Sequence, residues 1–260
     1  MTGSAVNGGV ALSLSGLRKS YRGVVVVDDV DVVVPAGSFT GVVGPNGAGK
    51  TTTLSMAVGL LRPDSGASIV HGIDLWQQPA EAKRLLGVLP DGLALPERLT
   101  GAELLTYWGL LRGLGKDEVR QRSGELLRVL DLDGPDDRAR LVLEYSTGMR
   151  KKIGLATALL HNPQVLVLDE PFEAVDPVSA RVIRRILRQF VQRGGAVLMS
   201  SHVMPLVEQM CDRVVLIAAG RVLAAGPIDD VRDGLSLEDR FIAQVGERPA
   251  DDEELAWLGS

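Results

Sequence analysis

The chain has 260 residues, a net charge of −5, 45% hydrophobic but only 4% aromatic content, and one cysteine, Cys211, which excludes an internal disulfide. Its length suits one large or two small aliphatic-rich α/β domains with a sizeable core. The charge is concentrated after Gly246, where Glu247, Asp251, Asp252, Glu253 and Glu254 outnumber Arg248, and the nearly neutral remainder offers no basic footprint for nucleic acid.

Met1 to Val10 lacks a basic start followed by a sustained apolar core, so it does not read as a signal peptide. Nowhere does an apolar stretch approach about 18 residues, and the chain is not expected to span a membrane by itself. Leu12-Ser13-Leu14 alternates like a strand and leads to Tyr21, and two valine-rich runs follow, Val24–Val27 and Val30–Val34. Phe39–Val43 is a further strand, and the helix-like stretch from Thr53 ends near Gly59. Arg62–Gly66 has the composition of a turn, Ala67–Val70 of a short strand, and Leu85–Leu89 of a strand stopped by Pro90.

From about residue 92 to 160 the pattern is helical. Thr100 and Glu103 have capping-box spacing, with Leu99 and Leu104 placed as its hydrophobic staple. Ile153–Leu160 then precedes the buried-strand run Val165–Leu168, a long helix over Val178–Arg193, strand Ala196–Ser200, another helix, and closing strands Val214–Ile217 and Val222–Ala225. Alternating strands and helices predict a mostly parallel sheet covered on both faces, with an antiparallel β portion ahead of it and a helical insertion within it. Residues 1–235 read as this domain, and 236–260 as a helical patch around Phe241, Ile242 and Val245 followed by the acidic tail.

Between Phe39–Val43 and the following helix lies Gly44-Pro45-Asn46-Gly47-Ala48-Gly49-Lys50-Thr51-Thr52. G-x-x-x-x-G-K-[ST] at a strand-to-helix turn is a phosphate-binding P-loop: glycines let backbone N–H groups curl around phosphate oxygens, lysine reaches the outer phosphates, and Thr51 holds Mg²⁺. The helix N-terminus adds partial positive charge. Asp169 ends an apolar strand at the edge where open parallel sheets bind ligands, placed to support Mg²⁺. Glu170 follows it, and beside Mg²⁺ it can orient and deprotonate a water.

These motifs, in this order, resemble the nucleotide-binding subunit of an ATP-binding cassette (ABC) transporter from about Leu12 to Val245. The resemblance implies a P-loop ATPase binding ATP and Mg²⁺. It makes Tyr145-Ser146-Thr147-Gly148-Met149 the signature, Glu170 the catalytic base and Glu173-Ala174-Val175-Asp176 the loop after it. His202 becomes the switch histidine and Tyr21 the aromatic that stacks on adenine, although Tyr21 also suits simple packing at a strand end. Ser146 and the Gly148 N–H would meet the γ-phosphate on a second protomer, so a dimer with itself or a close paralogue is implied.

Three departures from the family pattern stand out. Asp91 replaces a glutamine beside the nucleotide, where it can meet Mg²⁺ through water but lacks an amide donor. Thr147 and Met149 replace signature residues, and Glu173-Ala174-Val175 is unusual before Asp176. These forms resemble a bacterial exporter branch with separate membrane subunits, implying a permease partner at the cytoplasmic face of the membrane. It would touch the cleft beside Asp91, where Trp76, Tyr107 and Trp108 either contact it or pack in the core. Arg150, Lys151 and Lys152 crowd a predicted helix start, an unfavourable place for cations unless a phosphate arrives or they turn to solvent. The rival readings are a soluble regulatory or remodelling ATPase, and a module that binds ATP without turnover.

Overall fold

The computed structural model describes residues 9–246. β1 (Val10–Tyr21) and β2 (Val24–Pro35) form a hairpin across Arg22-Gly23, both with positive φ (50° and 86°), as a two-residue turn matching strand twist requires. The two valine runs thus belong to one strand. Asp28-Asp29, turn-like in sequence, is a bulge: Leu17 pairs Val30 and Lys19 pairs Val27, so β2 carries one extra residue, and Asp29 has φ 55°.

β3 (Phe39–Val43) runs into the glycine loop and α1 (Lys50–Ala57). β4 (Ser65–Val70) returns antiparallel beside β1, and β5 (Ile73–Asp74) completes a four-stranded sheet ordered β2-β1-β4-β5. The short α2 (Pro79–Arg84) then leads to β6 (Leu86–Leu89). The helical stretch holds α3 (Gly101–Leu111), α4 (Lys116–Val129), α5 (Pro135–Ala139) and α6 (Thr147–Leu159). The Thr100–Glu103 capping box is formed in full at the start of α3.

β7 (Val165–Leu168), α7 (Pro177–Gln192), β8 (Ala196–Ser201), α8 (Met204–Met210), β9 (Arg213–Ala218) and β10 (Arg221–Pro227) follow, then α9 (Ile228–Arg232) and α10 (Leu237–Val245). The second sheet is ordered β10-β9-β3-β8-β7-β6; its pairs are parallel except β10 with β9. This matches the expected mostly parallel sheet with an antiparallel β portion ahead of it. α10 takes up Phe241, Ile242 and Val245, whereas the acidic residues from Glu247 onward lie outside the described residues.

The pleat divides the parallel strands between two cores. Phe39, Val43, Leu166, Leu168, Val197, Met199, Val214 and Leu216 face the side with α6 and α7. Their neighbours Val42, Val165, Val167, Leu198, Val215 and Ile217 face Leu54 and Met56 of α1 and the valines of β2. Both faces are therefore buried, which is why these strands read as unbroken apolar runs rather than alternating ones. Cys211 packs in the first core as a small apolar residue, its thiol pKa pushed up by burial. Trp108 and Trp76 each pack partly against a core, while Tyr107 is 48% exposed.

Candidate active site

The parallel strands deliver their C-terminal ends to one edge: β3 gives Gly44, β6 leads to Asp91, β7 to Asp169 and Glu170, and β8 to His202. Local backbone geometry accounts for the glycines. A Cβ on Gly44 would stand 2.0 Å from the Ile217 carbonyl oxygen, and one on Gly49, at φ +98°, 2.8 Å from that of Val26. Lys50 is only 6% exposed, and its Nζ donates to the carbonyls of Gly44 (2.8 Å) and Pro45 (3.2 Å). A cradle of about 360 Å³ opens over the loop, with Asn46, Gly47, Thr51, Asp91, Glu170 and His202 in its wall. Ala48, Thr52 and Glu173 also border it.

Glu170 is held from all sides. Its Oε1 lies 3.7 Å from Lys50 Nζ and its Oε2 3.1 Å from His202 Nδ1. Its backbone is left-handed, φ +44°, a conformation that costs a non-glycine residue about 1–2 kcal/mol. Two backbone tethers offset that strain: the N–H donates to Ser200 Oγ (2.9 Å) and the C=O accepts from Lys151 Nζ (2.9 Å). Ser200 Oγ donates in turn to Asp169 Oδ1 (2.5 Å), fixing that buried carboxylate as well. Asp91 is half exposed, its Oδ1 4.0 Å from Lys151 Nζ.

Tyr21, Ser146 and Gly148 do not line this cradle. Tyr21 is 45% exposed at the end of β1, beside a cluster in which Asp64 accepts from Lys19 Nζ and from the Ser20 N–H and hydroxyl. Ser146 caps α6, its Oγ accepting from the Met149 N–H (3.2 Å). Gly148 turns toward the start of α7, where a Cβ would meet Asp176 Oδ2 at 2.8 Å and Ser179 Oγ at 2.9 Å. Close packing against these two side chains therefore favours glycine there. The Ser179 N–H holds the Asp176 carboxyl below its ordinary pKa, with a further hydrogen bond from the Val178 N–H.

The three cations of α6 find partners within the chain. Arg150 pairs with Glu97 (3.3 Å) and donates to the Leu143 carbonyl. Lys151 reaches Glu170, and the buried Lys152 donates to the Asp131 carbonyl (3.1 Å). Charge crowding in the sequence is thus resolved by oxygens on separate segments of the chain, at Glu97, Leu143, Glu170 and Asp131.

The family model described as "ABC transporter" matches residues 27–173, a span that holds the glycine loop, Asp91, the α6 cap and the Asp169-Glu170 pair. The chain belongs to the ABC transporter family. It is 38% identical over 225 residues to the daunorubicin/doxorubicin resistance ATP-binding protein DrrA of Streptomyces peucetius, covering 86% of this chain and 68% of that one. Its identity to the linearmycin resistance ATP-binding protein LnrL of Bacillus subtilis is 36% over 221 residues, 85% of this chain and 70% of the other. A solved structure described as the ATP-binding subunit of an ABC transporter superposes with TM-score 0.84 at 30% identity, covering 91% of this chain and all of that one.

As an ABC transporter ATP-binding subunit, the chain is an ATPase, and its loop offers the donors that ATP requires. Mg²⁺ also fits the donor chemistry. Thr51 lines the cradle, whereas the buried Asp169 does not and holds Ser200 behind it; Mg²⁺ is ordinarily held by one or two protein oxygens together with phosphate oxygens and water. Among the described residues no group of three or more His, Cys, Asp or Glu side chains forms a metal cage. Sequence reasoning singled out Lys151 only as a cation at a helix start, and missed that it and Ser200 hold the Glu170 backbone. Only the position of Ser200 two residues before His202, at a strand end, hinted at its part.

Proposed function

We propose that this ABC transporter ATPase hydrolyses ATP with Glu170 as base, works as a dimer, and drives a separate membrane permease in the direction of export. The observation that carries the chemistry is the Glu170 carboxylate, set between Lys50 and His202 at the mouth of the glycine loop. In this reading Glu170 takes the proton of the water that attacks the γ-phosphate. Lys50 and the loop N–H groups of Gly44 to Thr52, proline excepted, stabilise the charge that develops on the phosphoryl oxygens. His202 donates toward the γ-phosphate and holds the second oxygen of Glu170. Thr51 and Asp169 would hold Mg²⁺, with Asp91 meeting it through water, and the ion would supply charge neutralisation at the phosphates.

Tyr21 offers its ring to adenine from the hairpin end. Ser146 and Gly148 lie outside their own chain's cradle, which supports their use on ATP held by a second protomer. Closure of two such chains on two ATP molecules, and reopening after hydrolysis, would move a permease seated beside Asp91, between the sheet and the helices of about residues 92–160. Among the described residues no helix is long and apolar enough to cross a membrane, so the spanning part is assigned to another chain and this one to its cytoplasmic face. The relatives' names, those of resistance proteins, favour transport over soluble regulation.

Co-purification from membranes tests the transport reading: a multispanning protein is expected to accompany this chain. Recovery of the chain free of any membrane protein, with full ATPase activity in the soluble fraction, would instead favour the regulator. Sedimentation of Glu170→Gln with ATP is expected to show a dimer, and a monomer at saturating ATP would contradict the sandwich.

A further inference from the structure

Lys151 is the one α6 cation that reaches the catalytic edge. It sits in the second turn of α6, 15% exposed at the side chain, with Nζ 2.9 Å from the Glu170 carbonyl oxygen and 4.0 Å from Asp91 Oδ1. We propose that Lys151 is a positioning residue for ATP hydrolysis, fixing the Glu170 carboxylate through its own backbone and neutralising the carboxylate of Asp91. The inference rests on the reading of Glu170 as base.

The geometry gives the first part. Glu170 has a strained φ of +44°, and its conformation is held by hydrogen bonds on both sides, the N–H to Ser200 and the C=O from Lys151. Release of the carbonyl lets the backbone relax toward right-handed values, which turns the Cα–Cβ bond and carries the carboxylate away from Lys50 and His202. Small displacements of a catalytic group of this kind are costly to turnover but not to binding. Charge gives the second part. Asp91, Glu170 and Glu173 all border the same cradle, where phosphate must also enter. A carboxylate at position 91 adds repulsion there, and the nearby Lys151 ammonium cancels it. The acid at 91 and the lysine at 151 are therefore a matched pair, joined across α6 and the segment after β6.

The same helix begins at Ser146, so a displacement of the signature cap moves Lys151 with it. Lys151 thereby connects the surface offered to a second protomer with the base of its own site. Arginine can keep both contacts, whereas glutamine, one bond shorter and uncharged, loses them.

The test is steady-state ATP hydrolysis by the full chain with Mg²⁺, comparing wild type, Lys151→Gln, Lys151→Arg, Asp91→Asn and the Lys151→Gln/Asp91→Asn double variant. Lys151→Gln is expected to lower kcat about tenfold or more with the KM for ATP changed less than about threefold, the pattern of a lost transition-state interaction. Lys151→Arg should keep most of the rate. Asp91→Asn in the Lys151→Gln background should recover part of the loss, because the uncompensated carboxylate is gone. A Lys151→Gln enzyme with wild-type kcat overturns the proposal. So does a loss that Arg fails to rescue and Asp91→Asn leaves unchanged, since that marks structural damage.

If Lys151→Gln does not fold, Lys151→Met serves instead: it keeps the apolar stem, loses both contacts and should lower kcat by a similar factor, and an unchanged rate refutes the idea. Glu170→Gln run alongside separates the two readings. If it is inactive while Lys151→Gln matches wild type, only the role of Lys151 fails; if Glu170→Gln hydrolyses normally, the assignment of the base fails first.

Discussion

The Lys50 ammonium stands 3.7 Å from Glu170 Oε1 while two of its hydrogens go to the carbonyls of Gly44 and Pro45. The Lys50 ammonium and the Glu170 carboxylate thus share one small space, with the loop's own carbonyls holding the cation in place. Lys50→Met keeps the stem and removes the charge. Charge-assisted hydrogen bonds contribute about 1.5–3 kcal/mol each, so ATP affinity should fall roughly 10- to 100-fold. Titration with a fluorescent ATP analogue checks this, and unchanged affinity would remove Lys50 from the phosphate site.

Ser200 bridges Asp169 and the Glu170 N–H. Ser200→Ala leaves a buried carboxylate oxygen and an N–H short of a partner, a loss of about 1–3 kcal/mol. Thermal melting should show a drop of several degrees, at about 2–4 °C per kcal/mol for a chain of this size. Turnover should fall as well, because both carboxylates lose their tether. A variant as stable and as active as wild type would show that the bridge is incidental.

Gly44→Ala places a methyl group where the Ile217 carbonyl already stands, 2.0 Å away. The loop or β9 must shift, and overpacking of this kind costs about 1–3 kcal/mol. Loss of ATP binding together with a lowered unfolding midpoint in urea is the expected result. Gly47→Ala is the contrast: its Cβ meets nothing within 4 Å, but φ is +80°, so backbone strain alone acts and the effect should be smaller.

Asp64 makes a local pH-dependent contribution near Tyr21. Hydrogen bonds from Lys19 Nζ, then from the Ser20 hydroxyl and N–H, lower its carboxyl pKa from 3.8 to about 2. A depressed folded-state pKa contributes stability that is fully present above the unfolded value and is lost as pH falls toward the folded one. The stabilising contribution should therefore disappear between about pH 4 and pH 2. NMR titration should place the Asp64 inflection near the lower end, and in Asp64→Asn that segment of the pH–stability curve should flatten. An ordinary inflection would mean that the cluster does not hold the end of β1.

Much of this site was legible because its chemistry is contiguous. Gly44–Thr52 and Asp169-Glu170 each carry their meaning in a few adjacent residues that follow an apolar run, and the parallel order of β3, β8 and β7 then brings the strand ends together. What resisted reading depends on contacts between distant segments. Ser200 looks like an ordinary strand end, and Lys151 like one of three cations crowded at a helix start, until β7, β8 and α6 place them against Glu170. Val24–Val27 and Val30–Val34 read as two runs because the bulge at Asp28-Asp29 uses residue types that turns also use. The glycine at 148 suggested room for a phosphate, whereas the structure also shows close packing against Asp176 and Ser179. The short helices α2 and α9 carry too few residues for periodicity to register.

The most direct test of the central claim is the rate of Mg²⁺-dependent ATP hydrolysis by the purified chain and by Glu170→Gln, with ATP binding measured on both. The account predicts that the variant binds ATP as tightly as wild type and hydrolyses it at least about 100-fold more slowly, within the range that general base catalysis supplies. Hydrolysis by Glu170→Gln at the wild-type rate would contradict it, and the base would have to be sought elsewhere in the cradle.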